Sequence, residues 1–330
     1  MKFDAIIIGT GIGGATTGYA LAKAGMRVLF LEKGLSRLSS DNMIQGVFAE
    51  TEFTHYKSKQ EVLKLAGRAS GLIHDKSGLI TNAFTPFIGE GGGGSSALYG
   101  AILERFKVED FSGENNQPKW PVNYDEMEPY YQKAERLYGV SIAVDGQKNK
   151  LSKANQKLWN QLETNGLHPY ILPTASNNNV GCIDSCQSYL CQQGCKNDSE
   201  KTCLKPAVEQ FGASLWDNCE VLKIEEKNGR VEKVICRHNK KVVEVSADIL
   251  VLAAGALASP FLLFQSSNSR WPNGLANSSG LLGRYLMRHY IDLFAVDVED
   301  ILVNEESQKQ IGFNDFYQLW PNKFNNKTNG

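Results

Sequence analysis

Three glycines near the N-terminus have the spacing of a site that holds phosphate groups against the main chain. The segment 9–14 has the form G-x-G-x-x-G, and Glu32 follows Gly14 by 18 residues. Gly9 would allow a tight turn, Gly11 would let a pyrophosphate approach the backbone, and Gly14 would let a helix pack closely on a strand. A helix N-terminus attracts phosphate through its unpaired N–H groups, and a carboxylate at position 32 could accept hydrogen bonds from ribose hydroxyls. The pattern predicts a dinucleotide site formed by Gly9, Gly11, Ile12, Gly13, Gly14, Glu32 and Lys33.

The elements that would position these residues are a strand, a helix and a second strand. Residues 4–9 contain a short apolar run typical of a buried strand, 12–24 favour a helix, and 27–31 favour the next strand. Their combined length suits a right-handed parallel crossover. A further apolar run at 248–255 ends in glycine and is expected to return to the same sheet. The alternative, a strand–helix turn that binds nothing, is disfavoured because turn, helix, strand and Glu32 all agree.

Other periodic segments complete the expected secondary structure. The patterns predict helices at 124–138, 151–165 and 259–265, strands at 220–225, 231–238 and 241–245, and a polar loop at 182–203. The fold class that follows is α/β, with a Rossmann-like parallel sheet assembled from discontinuous segments of the chain.

A second glycine-rich segment, 89–100, could also contact a ligand. Four consecutive glycines at 91–94 let the backbone pass close to a bound group. The hydroxyls of Ser95 and Ser96 could bond a phosphate or the edge of a cofactor ring. The alternative is a flexible linker, which is disfavoured because apolar residues follow at once at 97–99.

In their order along the chain, these segments resemble the glucose–methanol–choline (GMC) family of FAD-dependent oxidoreductases. The likeness is carried by residues 92–100, 120–131, 218–221, 253–260 and 274–287. It implies FAD as the cofactor, oxidation of a CH–OH group of an alcohol, sugar or sterol, and hydride transfer to flavin N5. It also implies FAD contacts by Gly93, Gly94, Ser95, Ser96, Tyr99, Gly100, Val221, Ala254 and Gly255. Tyr99 stands where the family usually has asparagine.

The resemblance also implies a division of the chain. An FAD-binding domain is expected at 1–105 and 205–285, and a mixed α+β substrate or cap region at 106–204 and 286–330. The family's catalytic histidine lies near the end of a longer chain, and nothing after Tyr290 resembles that region. We therefore expect a fragment, a truncated gene product or half of a split enzyme. No catalytic residue is predicted, and His289 is expected to be structural.

Two rival hypotheses remain for the function. One is a truncated or degenerate FAD-binding or electron-relay subunit that has no turnover of its own. The other is a flavoprotein dehydrogenase of another class that shares only the dinucleotide unit. The glycine–serine loop and the segment 253–260 argue against the second.

The seven cysteines all lie between 182 and 236. The spacing of Cys182, Cys186, Cys191 and Cys195 is neither that of a zinc ribbon nor that of a ferredoxin. From spacing alone, reduced thiols, disulfides, zinc and an iron–sulfur cluster all stay open. Some sugar dehydrogenases of the resembled family hold a three-iron, four-sulfur cluster in this region. That resemblance implies Cys186, Cys191 and Cys195 as cluster ligands and an electron-acceptor subunit as a partner.

Charge and hydropathy narrow the remaining function classes. There are 35 basic and 36 acidic residues, and this balance argues against a nucleic-acid partner. No apolar run reaches the roughly 20 residues that span a bilayer, and the N-terminus lacks the features of a signal peptide. We therefore expect a cytoplasmic protein, and the family resemblance implies a small alcohol or sugar as its substrate.

Overall fold

In a computed structural model, the described residues are 2–75, 82–113, 119–141, 151–177, 187–286 and 310–316. The chain forms two compact units. The first comprises Met1–Tyr99, Cys186–Gly194 and Asp198–Leu293, and the second Gly100–Ser185, Cys195–Asn197 and Phe294–Gly330. The stretches 186–194 and 198–204 thus belong to the first unit, whereas the sequence analysis placed them in the cap region.

The first unit is built on a six-stranded sheet with the order β6-β2-β1-β9-β8-β7. Its strands are β1 (Lys2–Ile8), β2 (Val28–Leu31), β6 (Ser214–Trp216), β7 (Cys219–Lys227), β8 (Arg230–His238) and β9 (Lys241–Leu252). The strands β6, β2, β1 and β9 run parallel, while β9, β8 and β7 are antiparallel. The prediction of an α/β fold with a parallel sheet from discontinuous segments is therefore confirmed.

The strand β9 joins the two parts of this sheet. Residues from Ser246 onward pair with β1, and the residues up to Val245 pair with β8. The prediction of two separate strands at 241–245 and 248–255 is wrong. The backbone between them stays in the ladder, because Ser246 and Ala247 pair with Lys2 and Phe3, so one strand carries both pairings.

The helix α1 (Ile12–Lys23) packs on the parallel strands through small residues. Gly14 is buried against the carbonyl oxygen of Gly9, and a Cβ at Gly18 would overlap the ring of Phe30. Phe30 itself is fully buried in β2. The small side chains of α1 thus let the helix lie close to the sheet, as the sequence pattern predicts.

The remaining elements are short or peripheral. The helices are α2 (Lys59–Leu65), α3 (Val108–Ser112), α4 (Tyr124–Tyr138), α5 (Lys153–Thr164), α6 (Lys205–Glu209) and α7 (Gly255–Gln265), and a π-helical turn spans Glu200–Leu204. Two small antiparallel pairs are β3 (Ile73–Asp75) with β4 (Asn82–Phe84), and β5 (Tyr170–Ile171) with β10 (Ile311–Gly312). Within the described ranges, no helix is both long and apolar enough to cross a membrane.

The main core lies where the sheet meets α7. Its buried aliphatic members come from β1, β2, β7, β8, β9 and α7 and include Ile6, Ile8, Leu29, Leu31, Ile224, Val234, Val245 and Leu262. The inner strand residues of β1 and β2 are buried on both faces, as expected for parallel strands. The fingerprint turn follows the carboxyl end of β1, and the glycine loop at 91–94 packs beside it.

Candidate dinucleotide-binding site

The two glycine-rich loops meet at the N-terminus of α1. A Cβ on Gly94 would lie 2.9 Å from the Cα of Gly11, so this approach leaves no space for a side chain. Gly93 and Gly94 both have positive φ, at 87° and 52°, in the 3₁₀ turn Gly94–Ala97 and its N-cap. These values favour glycine. The two glycine-rich motifs, which were predicted separately, therefore lie next to each other.

The start of α1 is open toward this site. Gly11 is its N-cap residue, no side chain of the described residues caps it, and residues 12–15 carry no acidic group. A Cβ placed on Gly11 or on Gly13 would meet no heavy atom of the described chain within 4 Å. The uncompensated N–H groups and the positive end of the helix dipole therefore face space that a pyrophosphate could fill.

Glu32 lies at the end of β2 and holds the fingerprint turn in shape. Its carboxylate accepts hydrogen bonds from Thr10 N at 3.0 Å, Thr10 Oγ1 at 2.7 Å and Gly34 N at 3.0 Å. The residue is only 6% exposed, and burial raises its pKa above the ordinary value. Because each carboxylate oxygen can accept two hydrogen bonds, Oε1 keeps capacity for a ribose hydroxyl.

Lys33 connects this corner to the second loop. Its Nζ lies 3.1 Å from Oε2 of Glu90, and the side chain is about half exposed. Glu90 immediately precedes the four glycines, and the N–H of Gly92 donates to the carbonyl of Leu35 at 2.9 Å. The segment after β2 and the glycine loop are therefore joined by both an ion pair and a backbone bond.

The two predicted serines have different surroundings. Ser95 is exposed, and its Oγ accepts from the N–H of Gly89 at 3.1 Å. Ser96 is buried, and its Oγ donates to Gly93 O at 2.6 Å and lies 3.0 Å from Ser199 Oγ. Ser95 is thus the hydroxyl open to a ligand, whereas Ser96 braces the loop from within. Both contacts with FAD stay predictions.

The other predicted contacts lie in β7, at the start of α7, or just after the glycine loop. Cys219 N donates to Glu32 O at 2.8 Å, which brings the start of β7, and Val221 two residues on, beside the end of β2. Ala254 and Gly255 begin α7 directly after β9, and Gly255 has a φ of 82°. Burial and the charge of Asp198 raise the pKa of the half-buried Tyr99, so its phenol stays protonated. Gly100 belongs to the second unit.

The segment Asp198–Glu200 lies within the predicted polar loop at 182–203, and no site role was predicted for it. Asp198, Ser199 and Glu200 are all buried, and Arg37 donates from Nη2 to both oxygens of Asp198 at 2.8 Å. Arg37 also pairs with Glu200. No local signal reveals this cluster, because its partners lie more than 160 residues apart in sequence.

His238 is partly buried. Its ring stacks on that of Trp216 with centroids 4.9 Å apart and an angle of 10° between the planes. His289 lies outside the described residues. No catalytic base is assigned among the described histidines.

The predicted iron–sulfur ligands are not supported as a set. Cys195 is disulfide-bonded, Cys191 carries a reduced thiol, and Cys186 lies outside the described residues, as does Cys182. A cluster would need three thiolates. No group of three or more His, Cys, Asp or Glu side chains in the described ranges could hold a metal ion. Cys203, Cys219 and Cys236 are buried reduced thiols.

Comparison with known proteins shows the family to which this arrangement belongs. The family model for GMC oxidoreductases matches residues 3–291. The chain is a member of the GMC oxidoreductase family. The resemblance that the sequence motifs indicated is therefore confirmed.

The names of relatives within the GMC family indicate that they act on diverse compounds. A 2-methyl-1,2-propanediol dehydrogenase from Mycolicibacterium austroafricanum is 28% identical, with 88% of this chain and 56% of that protein aligned. A paromamine 6'-oxidase from Streptomyces fradiae is 27% identical, with 86% and 53% aligned. The fructose dehydrogenase large subunit of Gluconobacter japonicus is 26% identical, with 88% and 59% aligned. The chain thus spans a little over half the length of these relatives.

Solved structures agree on the fold. Pyridoxine 4-oxidase from Mesorbium loti superposes with a TM-score of 0.55 and 19% identity, covering 80% of this chain and 51% of that one. A formate oxidase from Aspergillus oryzae RIB40, studied for its FAD modification, gives 0.55 and 16%, with coverage of 81% and 48%. At these identities the likeness concerns the fold alone.

Proposed function

We propose that this chain supplies the FAD-binding part of an oxidoreductase that acts on a CH–OH group of an alcohol or sugar. The observation that carries the proposal is the meeting of two glycine loops at the uncapped start of α1. Open space at Gly11 and Gly13 fits a pyrophosphate, and the family membership favours FAD over a nicotinamide dinucleotide. The names of the relatives support a small-molecule substrate.

Each part of the site would hold a different part of FAD. The N–H groups at the start of α1 would bind the pyrophosphate, Glu32 would accept a ribose hydroxyl, and the backbone at Val221 would meet the adenine. The exposed Ser95 and the glycine loop would lie along the flavin side. The bound flavin would supply the hydride-accepting chemistry, and the protein would position it and exclude water.

The complete reaction calls for a base that takes the hydroxyl proton of the substrate. The relatives extend well beyond the matched region, and we propose that this group comes from a part of the fold equivalent to that remainder. The fructose dehydrogenase large subunit is, by its name, one subunit of an assembly. This supports a further subunit as a partner of the present chain, and we propose that this subunit accepts electrons.

Titration with three cofactors tests the proposal directly. The purified chain is titrated with FAD, with FMN and with NAD, and binding is followed by flavin absorbance and by calorimetry. We expect FAD to bind most tightly, because FMN lacks the adenosine that Glu32 and Val221 would hold and NAD lacks the flavin. Equal affinity for FMN and FAD would contradict the adenosine contacts, and no binding of FAD would contradict the proposal.

A second candidate function is an FAD binder without turnover of its own. It is favoured by the aligned share of the relatives, which is between 53% and 59% for the three described above. Turnover of a panel of alcohols and sugars with an artificial electron acceptor separates the two functions. FAD binding without any turnover would support the second, and sustained turnover by this chain would exclude it.

A further inference from the structure

Ser199 lies between the two glycine loops and contacts both. Its Oγ is 3.1 Å from the carbonyl oxygen of Thr10 and 3.2 Å from that of Gly93, and it can donate to either. Its backbone N–H donates to Ser96 Oγ at 3.0 Å. Thr10 is the residue whose N–H and hydroxyl bind Glu32. One buried serine therefore links the fingerprint turn, and through it Glu32, to the glycine–serine loop.

The residues on either side of Ser199 fix its position. Glu200 accepts from Ser36 Oγ at 2.5 Å and from Arg37 N at 2.9 Å, and its carboxylate fills the space beside Gly92 where a Cβ would stand. Asp198 is held by the Arg37 guanidinium. Both carboxylates are buried, so these charge-assisted bonds lie in surroundings where they are strong and geometrically restrictive.

We propose that Ser199 is a positioning residue for FAD: its hydroxyl sets the separation of the Thr10 turn and the Gly93 loop. This inference rests on the proposed function, because it assumes that FAD lies along both loops. With the hydroxyl removed, the two buried carbonyls lose a donor and the loops lose the bridge through Ser199, although Thr10 Oγ1 still contacts the Gly91 carbonyl at 3.3 Å. FAD binding would then have to order them, and a site that must be ordered on binding has a lower affinity.

The test compares S199A with a matched control, S266A. Ser266 is also a buried serine whose Oγ accepts a backbone N–H, from Ile224 at 2.9 Å, and donates to a carbonyl, that of Leu262 at 2.6 Å. Both variants lose one bonded, buried hydroxyl, so both should unfold at lower denaturant concentration. Only S199A should raise the Kd for FAD, by about tenfold. S266A should bind FAD as the wild type does.

Two further measurements keep the inference testable if S199A does not fold. S199C retains a weak hydrogen-bond donor at this position. Its Kd for FAD should lie above that of the wild type and, where S199A folds, below that of S199A. In the FAD-free protein, hydrogen exchange at the amides of Gly94 and Ser96 should be faster in the Ser199 variant and unchanged in S266A. A general loss of stability would not produce this local difference.

The outcomes separate this inference from the proposed function. If the Ser199 variant binds FAD as tightly as the wild type, the role of Ser199 is refuted while the FAD site stands. The variant compared is S199A, or S199C if S199A does not fold. If S199A and S266A lose the same affinity, the effect is one of stability, and the role is again refuted. If wild type itself binds no FAD, the proposed function fails and the role of Ser199 fails with it.

Discussion

Replacing Gly11 by alanine should separate the folding of this chain from its cofactor binding. A Cβ on Gly11 meets no heavy atom of the described residues within 4 Å, and the residue has a φ of −62° and a ψ of −178°, which any residue adopts. Alanine has fewer conformations than glycine in the unfolded chain, which would stabilise folded G11A by about 0.4–1 kcal/mol relative to wild type. Alanine is also a poorer N-cap residue than glycine, which costs a similar amount. The free energy of unfolding of G11A should therefore stay within about 1 kcal/mol of wild type.

The same methyl group would point into the space that we assign to the pyrophosphate. Forcing one carbon into a filled site costs about 1–3 kcal/mol, which corresponds to a rise of roughly 5- to 150-fold in the Kd for FAD. The assays are urea unfolding of the FAD-free protein and a titration with FAD. G71A is the control, because Gly71 is exposed and a Cβ there also meets nothing in the described chain. If G11A bound FAD as tightly as G71A, the pyrophosphate would not lie at this helix start.

Four further changes test other parts of the structure. G14A should fail to fold or be strongly destabilised, because its Cβ would overlap the carbonyl oxygen of Gly9; a stable G14A seen by urea unfolding would refute the close packing. R37A should lower the free energy of unfolding by about 3–5 kcal/mol, since it leaves two buried carboxylates unpaired, and R27A, whose partner Asp4 lies near the surface, should have a much smaller effect. L262A, a core residue, should cost about 2–5 kcal/mol, whereas F261A, which is 60% exposed, should be nearly neutral in the same denaturation assay. Finally, burial raises the pKa of Glu32, so the folded protein binds the carboxyl proton more tightly than the unfolded chain does. The contribution of Glu32 to the free energy of unfolding should therefore fall as the pH rises from the ordinary carboxyl range through the raised pKa. E32Q should lack this contribution when unfolding is measured as a function of pH.

The parts of the fold that the sequence predicts are those whose signals are local. The strand–helix–strand unit at residues 2–31 follows from a short apolar run, small helical residues and glycines, all within one crossover. The helix α4 begins and ends where predicted, because Asn123 and Glu126 form a capping box and Gly139 ends it with a positive φ. The three-residue strand β6 gives too short a pattern to be seen.

The parts that the sequence does not predict depend on contacts across the chain. A 3₁₀ turn sets the direction of each serine hydroxyl in the glycine loop and leaves Ser95 exposed and Ser96 buried. Because both residues are serine, the sequence does not show which hydroxyl is exposed. The pairing of Arg37 with Asp198 and Glu200 requires the fold to be known first. Likewise, the spacing of Cys191 and Cys195 carries no information on which thiol is oxidised.

The four glycines in the segment 9–14 are required for different reasons, and this difference is itself an argument for a ligand. Gly9 has a φ of 95° and abuts the carbonyl of Ala253, and Gly14 abuts Gly9, so both are fixed by the fold whether or not anything binds. Gly11 and Gly13 meet no such restriction from the described residues. A glycine inside a helix is less stable than alanine by about 1 kcal/mol, so the fold alone favours a side chain at Gly13. A bound group that needs the backbone itself would account for the absence of side chains at these two positions, and the phosphates of a dinucleotide have that requirement.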